Sequence, residues 1–171
     1  MAQQKKSVEP ETVVEESAPK TIKAKQVDLH QYIPVRNGFQ GKLIYRSRRT
    51  GELFVWETFG ETQEMELQEL KNAKASNKKF FESNWFMFDD DWVIDYLGVK
   101  QYYKYSLPVD DYDSFFEKDP DEMADYIAKM NAAQKRSLTY RARQLIAEGA
   151  IDSNRKIKAL EDALGVELIE R

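Results

Sequence analysis

The spacing of apolar residues changes rhythm along the chain, and each change predicts a different kind of structure. From Met1 to Val27 the hydrophobic residues are mostly isolated Val, Ala and Ile among Lys and Glu, with Pro10, Pro19 and no aromatic residue. Such a segment cannot bury enough apolar surface to offset the entropy lost on ordering, so residues 1–28 are expected to form a disordered tail. Val13, Val14 and Ile22 are the anchors it would use if it ordered on a partner.

Leu29 to Val35 reads as extended, because Pro34 pushes Ile33 toward β or polyproline II backbone. Asn37-Gly38 is a turn signal. From Gly41 to Arg46 the polarity alternates, with Leu43 and Tyr45 on one face and Lys42, Ile44 and Arg46 on the other. A polar connection, Ser47 to Gly51, leads into Leu53-Phe54-Val55-Trp56, so these segments predict a β-hairpin with a basic tip. Glu57 to Glu61 is a second turn. Leu67, Leu70 and Ala73 are spaced three apart and predict a helix over Glu64–Lys74. Asn77 to Phe81 reads as a short helical turn, and Trp85-Phe86-Met87-Phe88 as a buried strand or core plug. Asp89-Asp90-Asp91 opens a helix over Trp92 to Leu97, which Gly98 stops. A tyrosine-rich stretch of helical character, Val99 to Ser106, ends at Leu107-Pro108.

Beyond this point the period is helical throughout. Asp110 to Lys118 is acidic and holds Phe115-Phe116. Asp119-Pro120 has the form of an N-cap followed by proline at the first helical position, and Met123, Ile127 and Met130 share a face behind it. A longer helix is expected over Ala132–Glu148, with Leu138, Ala142, Leu145 and Ile146 inward and Gly149 as its stop. Asp152-Ser153 caps a last helix striped by Ile157, Leu160 and Leu164, which Gly165 ends. The expected architecture is therefore α+β. A β-hairpin and sheet module with short helices spans residues 29–108. A bundle of three or four helices spans 109–171, packed against the first module or swinging on Leu107-Pro108.

Composition adds constraints to this picture. The 171 residues fit one ordinary domain or two small ones, and 9 Phe, 9 Tyr and 3 Trp supply a sizeable core despite 33% charged content. The net charge of −4 argues against a protein that coats duplex DNA, since such domains are usually basic. The charge is unevenly placed: residues 29–108 hold 11 basic and 11 acidic residues, and 109–171 hold 10 and 14. Without cysteine there is no disulfide, thiol nucleophile or Cys-based zinc site. The N-terminal stretch lacks the apolar segment of a signal peptide, and no apolar run approaches the length of a membrane span, so no membrane partner is expected. The expected location is the cytoplasm.

Candidate chemistry is sparse. His30 is the lone histidine, so no Ser-His-Asp arrangement can be built without it, and no phosphate-cradling glycine motif or HExxH is present. Asp89-Asp90-Asp91 with Asp95 has the oxygen ligands that a hard divalent ion wants. The plainer reading is an acidic helix start. Asp110-Asp111-x-Asp113 lacks the glycine and distal glutamate of an EF-hand loop and reads as a solvated acidic face. No catalytic residue, metal site or cofactor is expected.

Binding chemistry is richer. Lys42, Arg46, Arg48 and Arg49 cluster on the hairpin with Tyr45, Phe54 and Trp56 interleaved, a pattern that could grip phosphates while a ring stacks on a base. It equally describes an acidic-partner contact, or a charged hairpin edge that deters aggregation. Lys135, Arg136, Arg141 and Arg143 form a second basic patch, with Arg136, Tyr140 and Arg143 on one helical face. With the following turn and helix it has a helix–turn–helix outline, although Glu161 and Asp162 would repel phosphates. The stretch Asp110 to Asp125 carries eight carboxylates and one lysine; it could dock a basic partner or pair with the Lys135–Arg143 helix of the same or a neighbouring chain. Tyr102, Tyr103 and Tyr105 are candidate interface anchors.

The block Gly41-Lys42-Leu43-Ile44-Tyr45, Arg49-Thr50-Gly51-Glu52, Trp56-Glu57 and Phe59-Gly60, followed by Met65 to Leu70, Lys79-Phe80-Phe81 and Trp85, resembles small proteins encoded by bacteriophages of Gram-positive bacteria. The ending Ile151-Asp152-Ser153, Ile157, Leu160-Glu161 and Leu164-Gly165 fits the same group, and the resemblance spans residues 33–171. It implies a virion component or assembly factor and carries over no functional residue. The expected function is a non-enzymatic bacteriophage structural or assembly protein acting through contacts with other phage or virion proteins, in the host cytoplasm or the virion. Self-association is a minor expectation, and the alternative is a nucleic-acid-binding accessory protein that uses the basic hairpin tip.

Overall fold

A computed structural model describes residues 26–170. The expected tail and its anchors Val13, Val14 and Ile22 lie outside these residues up to Lys25. At its C-terminal end the predicted tail, residues 1–28, reaches two residues too far, because Val27 already packs against the first core.

The architecture is α+β, as the pattern predicts. Strand β1 (Tyr32–Asn37) lies between β4 (Thr62–Glu66) and β5 (Phe86–Met87) in an antiparallel sheet of order β4-β1-β5, with Ile33 opposite Met65 and Arg36 opposite Met87. Strands β2 (Leu43–Arg46) and β3 (Leu53–Trp56) form the expected hairpin, which pairs Leu43 with Trp56 and Tyr45 with Phe54 on its inner face. Two side chains tie the hairpin to the sheet. The Trp56 indole N–H donates to the Val35 carbonyl at 2.9 Å, and Gln63 Nε2 donates to the Val55 carbonyl at 2.8 Å. Helices α1 (Leu67–Ser76), α2 (Lys79–Glu82), α3 (Asp91–Leu97) and α4 (Lys100–Tyr103) cover this module. Its core gathers Trp56, Phe81, Phe86, Leu67 and Leu70, all fully buried.

One predicted element needs correcting. The helix expected to begin at Glu64 begins at Leu67, and Thr62–Glu66 is instead a strand paired along β1. Glu and Gln favour helices, but β1 offers this segment a full ladder and a buried slot for Met65. Tertiary pairing outweighs the small difference in propensity.

The C-terminal module follows its sequence closely. After a 3-10 turn at Val109–Asp111 and the short α5 (Tyr112–Phe115), α6 (Pro120–Lys129) starts where Asp119 accepts a hydrogen bond from the Asp121 backbone N–H. Helix α7 (Ala132–Ala147) opens on a capping box between Asn131 and Gln134, and α8 (Asn154–Leu164) on Ser153. Helix α6 lies along α8, and Phe115, Met123, Ile127, Leu138 and Leu160 are buried in a second core.

The two cores meet at a buried polar joint. Asn84, held at φ 52°, donates through Nδ2 to the Tyr102 carbonyl at 2.9 Å and accepts on Oδ1 from Gln134 Nε2. Gln134 keeps its own oxygen on the Asn131 backbone N–H, so one side chain both caps α7 and docks it. Asn131 Nδ2 also reaches the Glu82 carbonyl at 3.3 Å. Phe59, from the loop after β3, crosses to stack edge-on against Tyr112 with ring centroids 4.9 Å apart.

Gly38 sits against this joint. Asn37 completes β1 instead of forming a two-residue hairpin turn, and its buried amide bonds the Gly41 and Thr58 carbonyls. A Cβ on Gly38 would lie 2.0 Å from the Asn84 carbonyl oxygen, which is backbone and cannot rotate away. Gly38→Ala should therefore destabilise the protein by about 1–3 kcal/mol, the usual cost of overpacking, read as a lower denaturation midpoint at unchanged m-value. Gly51→Ala provides the contrast. Nothing lies within 4 Å of that position, and its cost comes from backbone strain at φ +76° alone.

Candidate interaction surfaces

The basic hairpin tip is less available than its sequence suggests. Arg49 Nε donates to Glu69 Oε2 at 3.2 Å, and Glu69 is only 2% exposed. That carboxylate also accepts from the Tyr45 hydroxyl at 2.7 Å and from Asn72. Burial alone would raise the Glu69 pKa, but donors from Tyr45, Ser47, Asn72 and Arg49 outweigh it and hold the group below the usual carboxylate range. Burial, and then the bond to Glu69, push the Tyr45 phenol well above its ordinary value. Arg49 thus compensates an internal charge, and Lys42 pairs with Glu57 at 3.0 Å. Arg46 and Arg48 are exposed and make no ion pair among the described residues. Arg46 stands across from Leu53, next to the cross-strand pair Ile44 and Val55, so the hairpin's outer face mixes charge with half-exposed apolar side chains.

The tyrosine trio divides. Tyr103 is not a surface anchor: it is buried, its hydroxyl donates to the Phe86 carbonyl at 2.7 Å, and its ring packs on Phe88. The helical period of α4 turns this one residue of the trio inward. Tyr102 is half-buried with its hydroxyl near Glu82, and its carbonyl belongs to the joint. Tyr105 is half-buried with Lys104 Nζ 5.2 Å from its ring centre.

The aspartate run does not converge. Asp89 leans toward Arg36 at 3.4 Å, and Asp95 pairs with Lys100 at 3.3 Å. Asp90 occupies the N-cap position of α3, yet its side chain accepts no capping bond; only the charge of Asp91 lies in the first turn. Among the described residues no three His, Asp or Glu side chains cluster to hold a metal ion. His30 is exposed, with Nδ1 3.4 Å from Glu66. An open cleft of about 430 Å³ lies beside this region, floored by Met87, Phe88 and Val109 and edged by Asp91, Asp95 and Lys104.

Two of the acidic residues after Pro108 are neutralised within the chain. Arg36 grips Asp110 with both terminal nitrogens, at 2.8 and 2.9 Å, and thereby straps the β-module to the start of the helical one. Arg141 also grips Asp113 with two bonds, from Nε and Nη2, at 2.6 Å each. The hydrogen bond and charge of each arginine hold its partner's carboxyl below the ordinary range. The expected pairing of acidic stretch and basic helix therefore occurs within one chain, but only through Arg141.

The other basic residues of this helix, Lys135, Arg136 and Arg143, form no ion pair among the described residues, and Arg143 donates to the Glu167 backbone carbonyl. The outer face of α7 presents Lys135, Arg136, Tyr140 and Arg143, with Tyr140 47% exposed. Two grooves share Arg136 and Tyr140. The first runs between α7 and the β-module and adds Phe39, Lys79 and Trp85. The second is an open trough of about 420 Å³ along α7 toward Leu164 and Val166. No Asp or Glu lines either groove. The sequence marks the α7 half of this strip. It gives no sign that Lys79 and Trp85 join it across the joint, because that depends on how the two modules dock.

Comparison with protein-family models, curated proteins and solved structures finds no match to this chain. Among the described residues no helix is long and apolar enough to cross a membrane.

The Asp113–Arg141 pair yields a pH prediction. The folded carboxyl is depressed, so its contribution is complete above about pH 4, the unfolded value, and is lost as pH falls through the lower folded value. Arg141→Gln should cost less than about 1 kcal/mol at neutral pH, because Asp113 remains 60% exposed. In thermal melts from neutral pH downward, the gap between wild type and variant should close below about pH 4.

Proposed function

We propose that this protein is a non-enzymatic bacteriophage structural or assembly protein that works by protein–protein contact through the α7 strip. The observation that carries the reading is a continuous surface of Arg, Lys, Tyr and Trp, lined by both modules and free of carboxylates. Tyr, Trp and Arg are the side chains that most often dominate interface energetics, since each covers much area with few rotatable bonds or makes directional bonds. Fixed docking of α7 against the β-module supports the same reading, because a preorganised surface loses little entropy on binding. The phage assignment rests on the sequence resemblance, and the working location is the host cytoplasm or the virion.

A nucleic-acid reading retains one supporting observation, the exposed Arg46 and Arg48 on the hairpin. Two cations on one hairpin make a weak phosphate grip.

Salt dependence separates the readings. Mobility-shift assays with single-stranded and duplex DNA should show no tight binding at about 50 mM salt. Virion proteins should co-purify with the chain from phage-infected cells, and Tyr140→Ala should weaken that association roughly tenfold. Tight DNA binding at low salt that disappears in Arg46→Ala/Arg48→Ala would reverse the ranking.

A further inference from the structure

We infer that the α7 strip is a self-association surface whose occupant is the acidic segment 117–125 of a second copy of this chain. The inference rests on the strip being a protein-contact surface and names its partner. Internal pairing leaves a surplus of each sign. Arg36 and Arg141 are taken by Asp110 and Asp113, whereas Lys79, Lys135, Arg136 and Arg143 meet no carboxylate among the described residues. Arg143 is steadied by the Glu167 backbone carbonyl at 2.8 Å, which orients it without cancelling its charge.

The opposite surplus lies on α6 and the turn before it. Glu117, Asp119, Asp121, Glu122 and Asp125 are exposed and form no ion pair among the described residues. The buried face of α6, Met123 and Ile127, is turned into the second core, so these carboxylates stand outward. Helix-start chemistry explains Asp119, Asp121 and Glu122. It does not explain Glu117, which precedes the cap, or Asp125, beyond the first turn. One chain thus carries a cationic groove and an anionic ridge that share no residue. Such a pair can be used twice around a two-fold axis or repeated head to tail.

Single-stranded nucleic acid fits the groove less well. Lys79 Nζ lies over the Trp85 ring at 5.2 Å, and Phe39 and Phe80 pack edge-on against the same ring. Of the strip's aromatic residues, Tyr140 alone makes no ring contact among the described residues. Base stacking along a strand needs successive open faces.

Sedimentation velocity of the full chain at low and high salt tests the inference. Wild type should associate at about 50 mM salt and dissociate as screening shortens the reach of the charges. Arg136→Glu/Arg143→Glu should be monomeric, and so should Glu122→Lys/Asp125→Lys, each with wild-type circular dichroism. An equimolar mixture of the two variants should associate again, which misfolding of either could not produce. A wild type that stays monomeric at low salt would overturn the inference. So would association that survives either charge reversal, or a mixture that stays monomeric. DNA binding by wild type that is lost in Arg136→Glu/Arg143→Glu would overturn it in favour of a nucleic-acid groove. If wild type is monomeric but Tyr140→Ala still abolishes co-purification of virion proteins, self-association fails and the assembly reading stands.

Discussion

A buried pair of side-chain amides, Asn84 and Gln134, sets the relation between the two halves of this molecule. Each amide has donors and acceptors that would cost about 1–3 kcal/mol per group if left unbonded away from water. Only one placement of α7 satisfies them together. Gln134 must cap its own helix at Asn131 while its nitrogen reaches Asn84, and Asn84 must at the same time hold the Tyr102 carbonyl. Asn84 has the left-handed backbone that Asn tolerates better than most residues, and that conformation aims its amide at α7. An apolar contact would tolerate sliding; a satisfied polar network does not.

That placement creates the principal surface. Lys79, Trp85 and Phe39 belong to the β-module, and Arg136 and Tyr140 to α7, yet they line one groove because the joint brings the modules together. Gly38 takes part in the same closure. Its missing side chain lets the β1–β2 loop lie against the Asn84 carbonyl, and its own N–H donates to the Trp85 carbonyl at 2.9 Å. Arg36 reaches out of the sheet to Asp110 and fixes the start of the helical module. Core, joint and strap therefore act at three separate points, and the Leu107-Pro108 linker has little freedom left to use.

Local chemistry made much of this legible. The hairpin followed from alternation between Leu43 and Arg46, and the three long C-terminal helices followed from Asp119-Pro120, Ser153, Gly149 and Gly165. These signals act within a few residues, so a sequence displays them directly. Strand β4 was hidden because Thr62–Glu66 has helix-favouring composition and becomes a strand only opposite β1. The joint was half visible: Asn131-x-x-Gln134 is a capping-box pattern, but nothing local says that the glutamine serves a second partner 50 residues away. Tyr103 was misplaced because a cluster of tyrosines looks like a surface patch until the helical turn that separates them is known.

The hairpin and α7 show why counting charges along a sequence misranks surfaces. Both segments hold four basic residues with aromatic neighbours, and the hairpin's are the more densely clustered. The decisive difference is what lies opposite. Arg49 faces Glu69, a carboxylate buried on α1 that it holds together with Tyr45 and Asn72, and Lys42 faces Glu57 across the ribbon. Those charges are already spent on the fold, so detaching Arg49 to meet a ligand would strand a buried anion. On α7 Arg141 alone forms an ion pair among the described residues, with Asp113, while Arg136, Tyr140 and Arg143 line the grooves beside the helix. A charge can do external work only if the fold does not need it, and by that criterion α7 carries a cationic surplus and α6 an anionic one, while the hairpin keeps only Arg46 and Arg48.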